Sequence, residues 1–317
     1  MKTLYLVIPC YNEAEVLHET AKRLLAKLDN LIKVEKISIS SRILFVNDGS
    51  KDNTWEIIKH LHVENELFTG ISLSHNKGQQ NALLAGLMTA KEYADMIISV
   101  DADLQDDINV IDMMVDEYYM GNDIIYGVRS SRKSDSFLRR ITAENFYRVM
   151  KMLGIEVMFN NSSCRLMSRR AVEALSDYKE VNLFLPGLVP LLGFKNSIVR
   201  YERKERYAGK TKYSFKQLFS LAAEAITSFS LKPIRFIRSV GILFFLTSVG
   251  IVVYHLAQTA NSDTESWLII FASIWAIGGI MLMSIGVVGE YVGKTYFEIK
   301  QRPRYIISEI LIDPKTD

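Results

Sequence analysis

The sequence places two carboxylates, one residue apart, directly after a short apolar run. Asp101 and Asp103 follow the run Met96–Val100, and Gln105 comes two residues later. Oxygen ligands at this spacing, just beyond a buried strand, can converge on one hard cation such as Mg²⁺ or Mn²⁺, which usually shares its coordination with substrate phosphates. Neighbouring carboxylates repel each other, so they also need a positive partner. The alternative is a solvated acidic loop that caps the next helix.

Polar residues also follow two earlier apolar runs. The first run, Leu4–Pro9, leads into Cys10-Tyr11-Asn12-Glu13, and the second, Arg42–Asn47, leads into Asp48-Gly49-Ser50. A plain turn explains the second segment when it is taken alone, because Asp, Gly and Ser are common turn and cap residues. Two acidic strand ends in one sheet instead favour a shared crevice, since ligands gather at the carboxyl ends of parallel strands.

A third polar segment, His75-Asn76-Lys77-Gly78-Gln79, precedes a helix rich in Ala and Leu. Gly78 permits a tight entry into that helix, and a helix N-terminus favours an anion. Lys77 is read either as an aid to a phosphate or as a solvated side chain, and His75 as a polar neighbour rather than a metal ligand. Neither G-x-G-x-x-G nor a Walker A motif occurs, which argues against a nicotinamide enzyme and a P-loop ATPase.

These residues need a scaffold, and the alternation of apolar runs with helix-like stretches indicates an α/β fold. The predicted strands are Leu4–Pro9, Arg42–Asn47, Gly70–Leu73, Met96–Val100 and Asp123–Gly127. The predicted helices are Glu13–Leu28, Asn53–His62, Gly78–Tyr93 and Ile108–Met120. Alternation of this kind predicts a mainly parallel sheet covered by helices.

The composition excludes several classes of function. The formal net charge over 317 residues is only +2, which argues against nucleic acid as a partner. Cys10 and Cys164 lie far apart and in no Cys-x-x-Cys pair, so neither a disulfide framework nor a thiolate metal site is indicated, and a reduced, cytosolic setting is favoured. The run Leu4–Cys10 is too short for a secretory signal and is predicted to be a buried strand.

The C-terminal third differs from the rest, because two long stretches lack Asp, Glu, Lys and Arg. They are Ser239–Ser262 and Ser266–Gly289, and each is long enough to cross the roughly 30 Å hydrocarbon layer as a helix. Two buried helices of a soluble protein are the alternative. Lys and Arg flank both stretches, whereas the turn between them carries only Asp263 and Glu265 as charges, so the positive-inside rule places both long ends in the cytoplasm.

A basic and aromatic segment, Arg200–Lys216, precedes the first of these stretches. This composition suits a membrane interface, and a solvated charged loop is the alternative. Residues 215–237 are predicted to form one or two amphipathic helices on the membrane. The predicted domains are 1–213 for the α/β domain, 214–235 for the juxtamembrane helices, 236–291 for two transmembrane helices (about 239–260 and 267–289) and 292–317 for a cytoplasmic tail.

The ordered motifs resemble those of inverting glycosyltransferases with the GT-A (Rossmann-like) fold. More narrowly, they resemble the polyprenyl-phosphate hexose transferases, such as dolichol-phosphate mannose synthase and the bacterial bactoprenol glucosyltransferases. The segments that carry the resemblance are Pro9–Glu13, Val46–Ser50, Asp101–Asp106, Arg165–Arg170, Arg206–Ser214, Gly289–Lys294 and Lys300–Pro303. They extend over nearly the whole chain, and the last two resemble the bacterial branch with two membrane spans.

The resemblance implies roles for individual residues. Nucleotide contacts are implied for Pro9, Tyr11, Glu13, Val46 and Asp48, and contacts with the metal and the sugar diphosphate for Asp101, Ala102 and Asp103. Gln105 is implied as a further metal ligand, and Arg129, Arg206 and Lys212 as phosphate contacts. The implied catalytic set is Asp101, Asp103, Arg129, Arg206 and Lys212, with Mg²⁺ or Mn²⁺ as the cofactor.

The activity that the resemblance implies is inverting transfer of a hexose from a nucleotide-sugar, with UDP favoured, to polyprenyl (undecaprenyl) phosphate. Such a reaction serves cell-envelope glycan modification at the cytoplasmic side of the plasma membrane. Further implied partners are a second copy of the chain and a downstream flippase or glycosyltransferase. Two other functions are weighed: a processive polysaccharide synthase, which the missing Gln-x-x-Arg-Trp block disfavours, and a non-catalytic membrane scaffold on a degenerate transferase fold.

One position departs from the pattern of this family. Its members usually carry an acidic residue, often proposed as the base, two places before the Arg of the Arg-Leu-Met-Ser block, and here that position is Ser163. A lipid phosphate monoester has a second pKa of about 6, so its oxygen is already anionic at neutral pH. Positioning of the substrates and stabilisation of the leaving group are therefore expected to dominate.

Overall fold

The computed structural model describes residues 1–103, 105–130, 161–181, 183–202, 234–237, 239–243, 246–247, 250 and 266–312. The strands are β1 (Leu4–Cys10), β2 (Arg42–Asn47), β3 (Phe68–Leu73), β4 (Met96–Ser99), β5 (Ile124–Arg129), β6 (Asn161–Ser168), β7 (Asn196–Tyr201) and β8 (Ile307–Leu311). The helices are α1 (Ala14–Lys33), α2 (Thr54–Glu64), α3 (Gln79–Ala90), α4 (Val110–Tyr119), α5 (Arg169–Ser176), α6 (Leu185–Leu191) and α7 (Ser266–Lys300).

The strands form one sheet in the order β7-β5-β6-β4-β1-β2-β3-β8. Strands β1 to β5 and β7 run in one direction, whereas β6 and β8 are antiparallel to their neighbours. The predicted α/β fold with a mainly parallel sheet is therefore confirmed. The strand order reverses at β1, which has β2 on one side and β4 on the other. In α/β sheets a crevice opens at such a reversal, beyond the carboxyl ends of the strands.

The side chains of β1 point alternately to the two faces of the sheet and pack in two separate layers of the core. Leu4 and Ile8 pack in a cluster with α1 on one face of the sheet. Tyr5 and Val7 pack in a second cluster with α3 on the other face, because successive side chains of a strand point to opposite faces. A Cβ at Gly86 of α3 would lie 2.3 Å from Cγ1 of Val7, so the helix lies directly on the sheet. This contact fixes the N-terminus of α3 above the ends of β1 and β2.

All predicted strands and helices up to β5 are present, with ends that differ by a few residues, but the sequence analysis missed the later elements of the sheet. The clearest case is β8, which lies inside the predicted tail 292–317. Ile310 pairs with Ile71 of β3, and Ser308 Oγ donates to the carbonyl oxygen of Ser72 at 3.0 Å. Residues 307–311 are therefore an edge strand of the α/β domain.

Helix α7 connects the apolar part of the chain to this strand. Within the residues that the structure describes, one stretch, Ile277–Lys300 of α7, is long and apolar enough to cross a membrane, and none of its most apolar part is buried inside the protein. The predicted second span, 267–289, lies within α7, whereas the predicted first span, 239–260, lies mostly outside the described residues, so the hairpin is not confirmed. At 1.5 Å per residue the 35 residues of α7 extend over about 52 Å, more than a hydrocarbon layer needs.

The C-terminal end of α7 reaches the α/β domain. Glu298 Oε2 accepts a hydrogen bond from the main-chain nitrogen of Val181 at 2.8 Å. Just beyond the helix, the Arg304 guanidinium donates to the carbonyl oxygen of Tyr178 at 2.9 Å. These contacts and β8 attach α7 firmly to the domain that carries the crevice.

A buried carboxylate fixes the start of β5 against the end of β6. Asp123 accepts hydrogen bonds from Ser168 Oγ at 2.8 Å and from the Arg170 guanidinium. Ser168 Oγ also accepts from the main-chain nitrogen of Ala171 and so caps α5. Burial would raise the pKa of Asp123, but the hydrogen bonds from Arg170 and Ser168 outweigh burial and lower the pKa. The ionised carboxylate therefore stabilises the fold.

We predict that Asp123→Asn lowers the free energy of unfolding by about 2 kcal/mol at neutral pH, the usual range for hydrogen bonds to a charged group. Because the folded-state pKa is depressed, this stabilisation is present above the unfolded pKa of about 4 and is lost as the pH falls through the lower folded value. Denaturant unfolding at a series of pH values is the measurement. The matched control is Asp116→Asn, which breaks the exposed Lys36–Asp116 ion pair and should cost less than about 0.5 kcal/mol. A difference between the two variants that persists unchanged at pH 3 would contradict the assignment.

Candidate active site

The crevice at β1 brings together the polar segments that follow β1, β2 and β4. Pro9 and Val46 are partners across β1 and β2, and Cys10 lies opposite Asn47. The main-chain nitrogen of Asp48 donates to the carbonyl oxygen of Cys10 at 2.8 Å, which keeps the two strand ends together. The predicted meeting of these segments at one edge of the sheet is therefore what the structure shows.

The Asp48 carboxylate is bound by the N-terminus of α3. Oδ1 accepts from the main-chain nitrogen of Lys77 at 2.7 Å, and Oδ2 accepts from that of Gly78 at 2.9 Å. Asp48 is almost completely buried, and burial raises its pKa although the two amide hydrogen bonds act in the opposite direction. The sequence predicts an anion at this helix N-terminus, and in the structure that anion is the protein's own carboxylate.

The segments after β1 and β2 are joined by reciprocal hydrogen bonds. The main-chain nitrogen of Asn12 donates to Ser50 Oγ at 3.0 Å, and Asn12 Oδ1 accepts from the main-chain nitrogen of Lys51 at 2.8 Å. The main-chain nitrogen of Glu13 donates to Thr54 Oγ1 at 2.9 Å. Tyr11 and Glu13, both partly buried, therefore lie on a loop whose path is set by the loop after β2.

Both oxygens of the Asp101 carboxylate accept hydrogen bonds. Gln79 Nε2 donates to Oδ1 at 2.9 Å, and Ser163 Oγ donates to Oδ2. Gln79 directly follows Gly78, so the short segment Lys77–Gln79 contacts Asp48 with its main chain and Asp101 with a side chain. Two acidic residues that lie far apart in the sequence are therefore connected through one helix N-terminus.

The remainder of the acidic loop is fixed by its own turn and by α1. Thr20 Oγ1 donates to the carbonyl oxygen of Ala102 at 2.7 Å, and Asp103 Oδ1 accepts from the main-chain nitrogen of Gln105 at 3.1 Å. Asp101 and Asp103 are both only partly buried. Two accessible carboxylates are the protein ligands that Mg²⁺ commonly uses when substrate phosphates complete its coordination, so the residues fit such a cation. The described residues contain no cluster of three or more His, Cys, Asp or Glu arranged around one metal position.

Among the remaining implied contact residues, the structure describes the side chain of Val46 but not those of the three basic residues. The Val46 side chain is completely buried against α3, so a nucleotide can reach only its main chain. Arg129 is the last residue of β5, but its side chain lies outside what the structure describes, as do Arg206 and Lys212 entirely. The structure therefore places the implied residues from Pro9 to Gln105 at the ends of β1, β2 and β4 and on the loops that follow them, and their roles and the three implied phosphate contacts stay predictions.

Sequence reasoning missed three residues that orient this site, namely Thr20, Gln79 and the Ser163 hydroxyl. The position of Gln79 next to a helix-entry glycine could have indicated its role. Thr20 lies on the buried face of α1, where nothing in the sequence indicates a contact with a loop 82 positions away. Ser163 was noted only as a departure from the family pattern.

We predict that Gly49→Ala disrupts the loop after β2. Gly49 has a φ of 61°, and an added Cβ would lie 2.6 Å from the main-chain nitrogen of Asn76. Strain and overlap together should lower the free energy of unfolding by about 3 kcal/mol. The matched control is Gly193→Ala, which has a φ of 66° but open space around the added atom and should cost about 1 kcal/mol. Equal losses in denaturant unfolding would show that the close approach of residues 75–76 does not matter.

Comparison with known proteins agrees with this geometry. Residues 5–176 match the sequence profile of glycosyl transferase family 2. A Bacillus subtilis protein described as the uncharacterized glycosyltransferase YkoT is 48% identical over 96% of this chain and 90% of its own length. The bactoprenol glucosyl transferase of Shigella phage SfII is 36% identical over 96% of this chain and 97% of its own length.

Among solved structures, glucosyl-3-phosphoglycerate synthase from Mycobacterium tuberculosis, crystallised with Mn²⁺ and UDP, is 13% identical, with a TM-score of 0.40 over 71% of this chain and 78% of that one. The assignment does not depend on this distant likeness. The sequence match and the near full-length relatives are sufficient: the chain belongs to glycosyl transferase family 2 and is a glycosyltransferase.

Proposed function

We propose that this glycosyltransferase transfers glucose from UDP-glucose to polyprenyl phosphate, with inversion at the anomeric carbon. The acceptor and the sugar are supported by the near full-length relative from phage SfII, whose name is bactoprenol glucosyl transferase. Within this chain, the observation that carries the proposal is the crevice in which Lys77–Gln79 contacts both Asp48 and Asp101. A nucleotide-sugar needs space for its nucleotide beside carboxylates for its diphosphate, and strand ends that lie next to Asp101 and Asp103 fit this need.

In the proposed reaction the chain's own residues bind and orient the two substrates. The ends of β1 and β2 bind the nucleotide, and Asp101 and Asp103 face its diphosphate. A divalent ion bound there, Mg²⁺ or Mn²⁺ with Gln105 as a further ligand, would offset the charge of the departing nucleoside diphosphate. The acceptor phosphate has a second pKa of about 6 and attacks as an anion, so the site has to position its oxygen and not to deprotonate it. Arg129, Arg206 and Lys212 are the proposed contacts for the remaining phosphate charge.

The test is a panel of radiolabelled UDP- and GDP-sugars with undecaprenyl phosphate and Mn²⁺ in detergent. We expect transfer from UDP-glucose, loss of transfer on addition of EDTA, and at least a hundredfold loss in Asp103→Ala with an unchanged unfolding midpoint. The matched control is Asp107→Ala in the same loop, whose carboxylate accepts from the main-chain nitrogen of Asn109 and has no part in the proposed reaction, so transfer should be retained. If none of the donors in the panel yields free nucleoside diphosphate, the result would instead favour a non-catalytic scaffold. Substantial activity in Asp103→Ala would contradict the proposed metal ligands.

We further propose that the chain crosses the membrane twice, with the α/β domain and both termini in the cytoplasm. The support comes from β8. This strand follows α7 yet pairs with β3, so residues 307–311 lie on the same side of a membrane as the domain that precedes the spans. If α7 crosses, a second crossing must lie between residues 202 and 266, where the sequence predicts the span 239–260.

This topology predicts the labelling of single cysteines by a membrane-impermeant maleimide in spheroplasts. Thr264→Cys, in the turn between the spans, should be labelled from outside, and Lys22→Cys, exposed on α1, only after lysis. The background should be low because Cys10 and Cys164 are both about 1% exposed and burial raises the pKa of the Cys164 thiol. Labelling of Lys22→Cys in intact spheroplasts would rule out the proposed orientation.

A further inference from the structure

We propose that Ser163 and Gln79 are positioning residues that orient the Asp101 carboxylate and thereby set the affinity of the crevice for the divalent cation that binds with a nucleoside diphosphate. This inference rests on the proposed function for the identity of the ligand. It assigns a role to the serine that departs from the family pattern and to a glutamine for which the sequence indicated none.

Two hydrogen bonds from separate elements of the fold hold the Asp101 carboxylate. Ser163 Oγ donates to Oδ2 of Asp101, and Gln79 Nε2 donates to Oδ1 at 2.9 Å. The two donors come from β6 and α3, on different sides of the loop. The carboxylate plane is therefore fixed before any cation binds.

Both donors are themselves fixed by the fold. The Ser99 hydroxyl of β4 donates to the carbonyl oxygens of Ser163, at 2.5 Å, and of Arg165, at 3.3 Å, which sets the position of β6 beside the acidic loop. Gln79 is the first residue of α3, and the residue before it donates its main-chain N–H to the buried Asp48. A displacement of either donor would require movement of the sheet or of the helix N-terminus.

The chemistry of residue 163 decides the charge of the site. A serine hydroxyl can donate to Asp101, whereas an ionised carboxylate at this position can only accept and would add a second negative charge beside Asp101. Arg165, two residues along β6 and therefore on the same face as Ser163, is buried, with its guanidinium 5.1 Å from the centre of the Tyr126 ring. The serine at position 163 thus supplies a neutral donor to Asp101 and adds no charge beside it.

The experiment measures Mn²⁺ binding by electron paramagnetic resonance, with the full-length protein in detergent, saturating UDP and no acceptor. We expect Ser163→Ala to raise the Kd for Mn²⁺ about tenfold, as loss of a partner that orients a metal-binding carboxylate does. Ser163→Thr keeps the hydroxyl and should stay within about twofold of the unmodified protein. Gln79→Met should weaken Mn²⁺ binding to a similar extent, because it removes the hydrogen bond to Oδ1 of Asp101. In transfer assays, Ser163→Ala should recover the kcat of the unmodified protein at saturating Mn²⁺, which a general loss of structure would not allow.

The matched control is Ser176→Ala, which removes an exposed hydroxyl on α5 that donates to Glu173 and should leave the Kd unchanged. The same Kd in Ser163→Ala, Gln79→Met and the unmodified protein would overturn the inference while leaving the proposed function standing. Transfer activity without any Mn²⁺ binding by the unmodified protein would overturn both the inference and the metal assignment. If Ser163→Ala does not fold, the Kd of Gln79→Met alone tests the inference. The Gln79 side chain is exposed, so its substitution should leave the protein folded.

Discussion

The architecture of the crevice depends on the hydrogen bonds between the Asp48 carboxylate and the main-chain amides of Lys77 and Gly78, the two residues that directly precede α3. A buried carboxylate is costly unless donors satisfy it, and a helix N-terminus offers donors that have no partner within the helix. The same arrangement places Gln79 at the first position of α3, within reach of Asp101. The ends of β2 and β4, on either side of β1, are thereby held at fixed separation by a helix that lies directly on the sheet.

This connection also explains why the acidic residues differ in role. Asp48 is almost completely buried and its hydrogen bonds are made within the protein, so it organises the crevice. Asp101 and Asp103 remain partly accessible, and their hydrogen bonds orient the carboxylates without enclosing them. Sequence spacing alone does not distinguish a structural carboxylate from a ligand, because both follow a buried strand at a turn.

The sequence predicted β1 to β5 well, because they are apolar runs separated by helix-like segments, but it missed β7, whose residues are mostly exposed. It did not predict β6 or β8, for physical reasons that differ. The strand β6 carries polar residues at alternate positions, and Ser163 and Arg165 find their partners, Asp101 and the Tyr126 ring, only in the folded protein. The strand β8 is short, half exposed and paired with a segment distant in sequence, so no local pattern marks it.

The pairing of β8 with β3 has a consequence for biosynthesis. When β3 leaves the ribosome its outer edge has no neighbour, and the strand that covers it is made only after the apolar stretches have been translated. An uncovered edge of this kind is a template for pairing with other chains. The sheet is thus completed only after α7 has been synthesised, and a fragment truncated before residue 307 would keep the crevice residues yet expose an aggregation-prone edge.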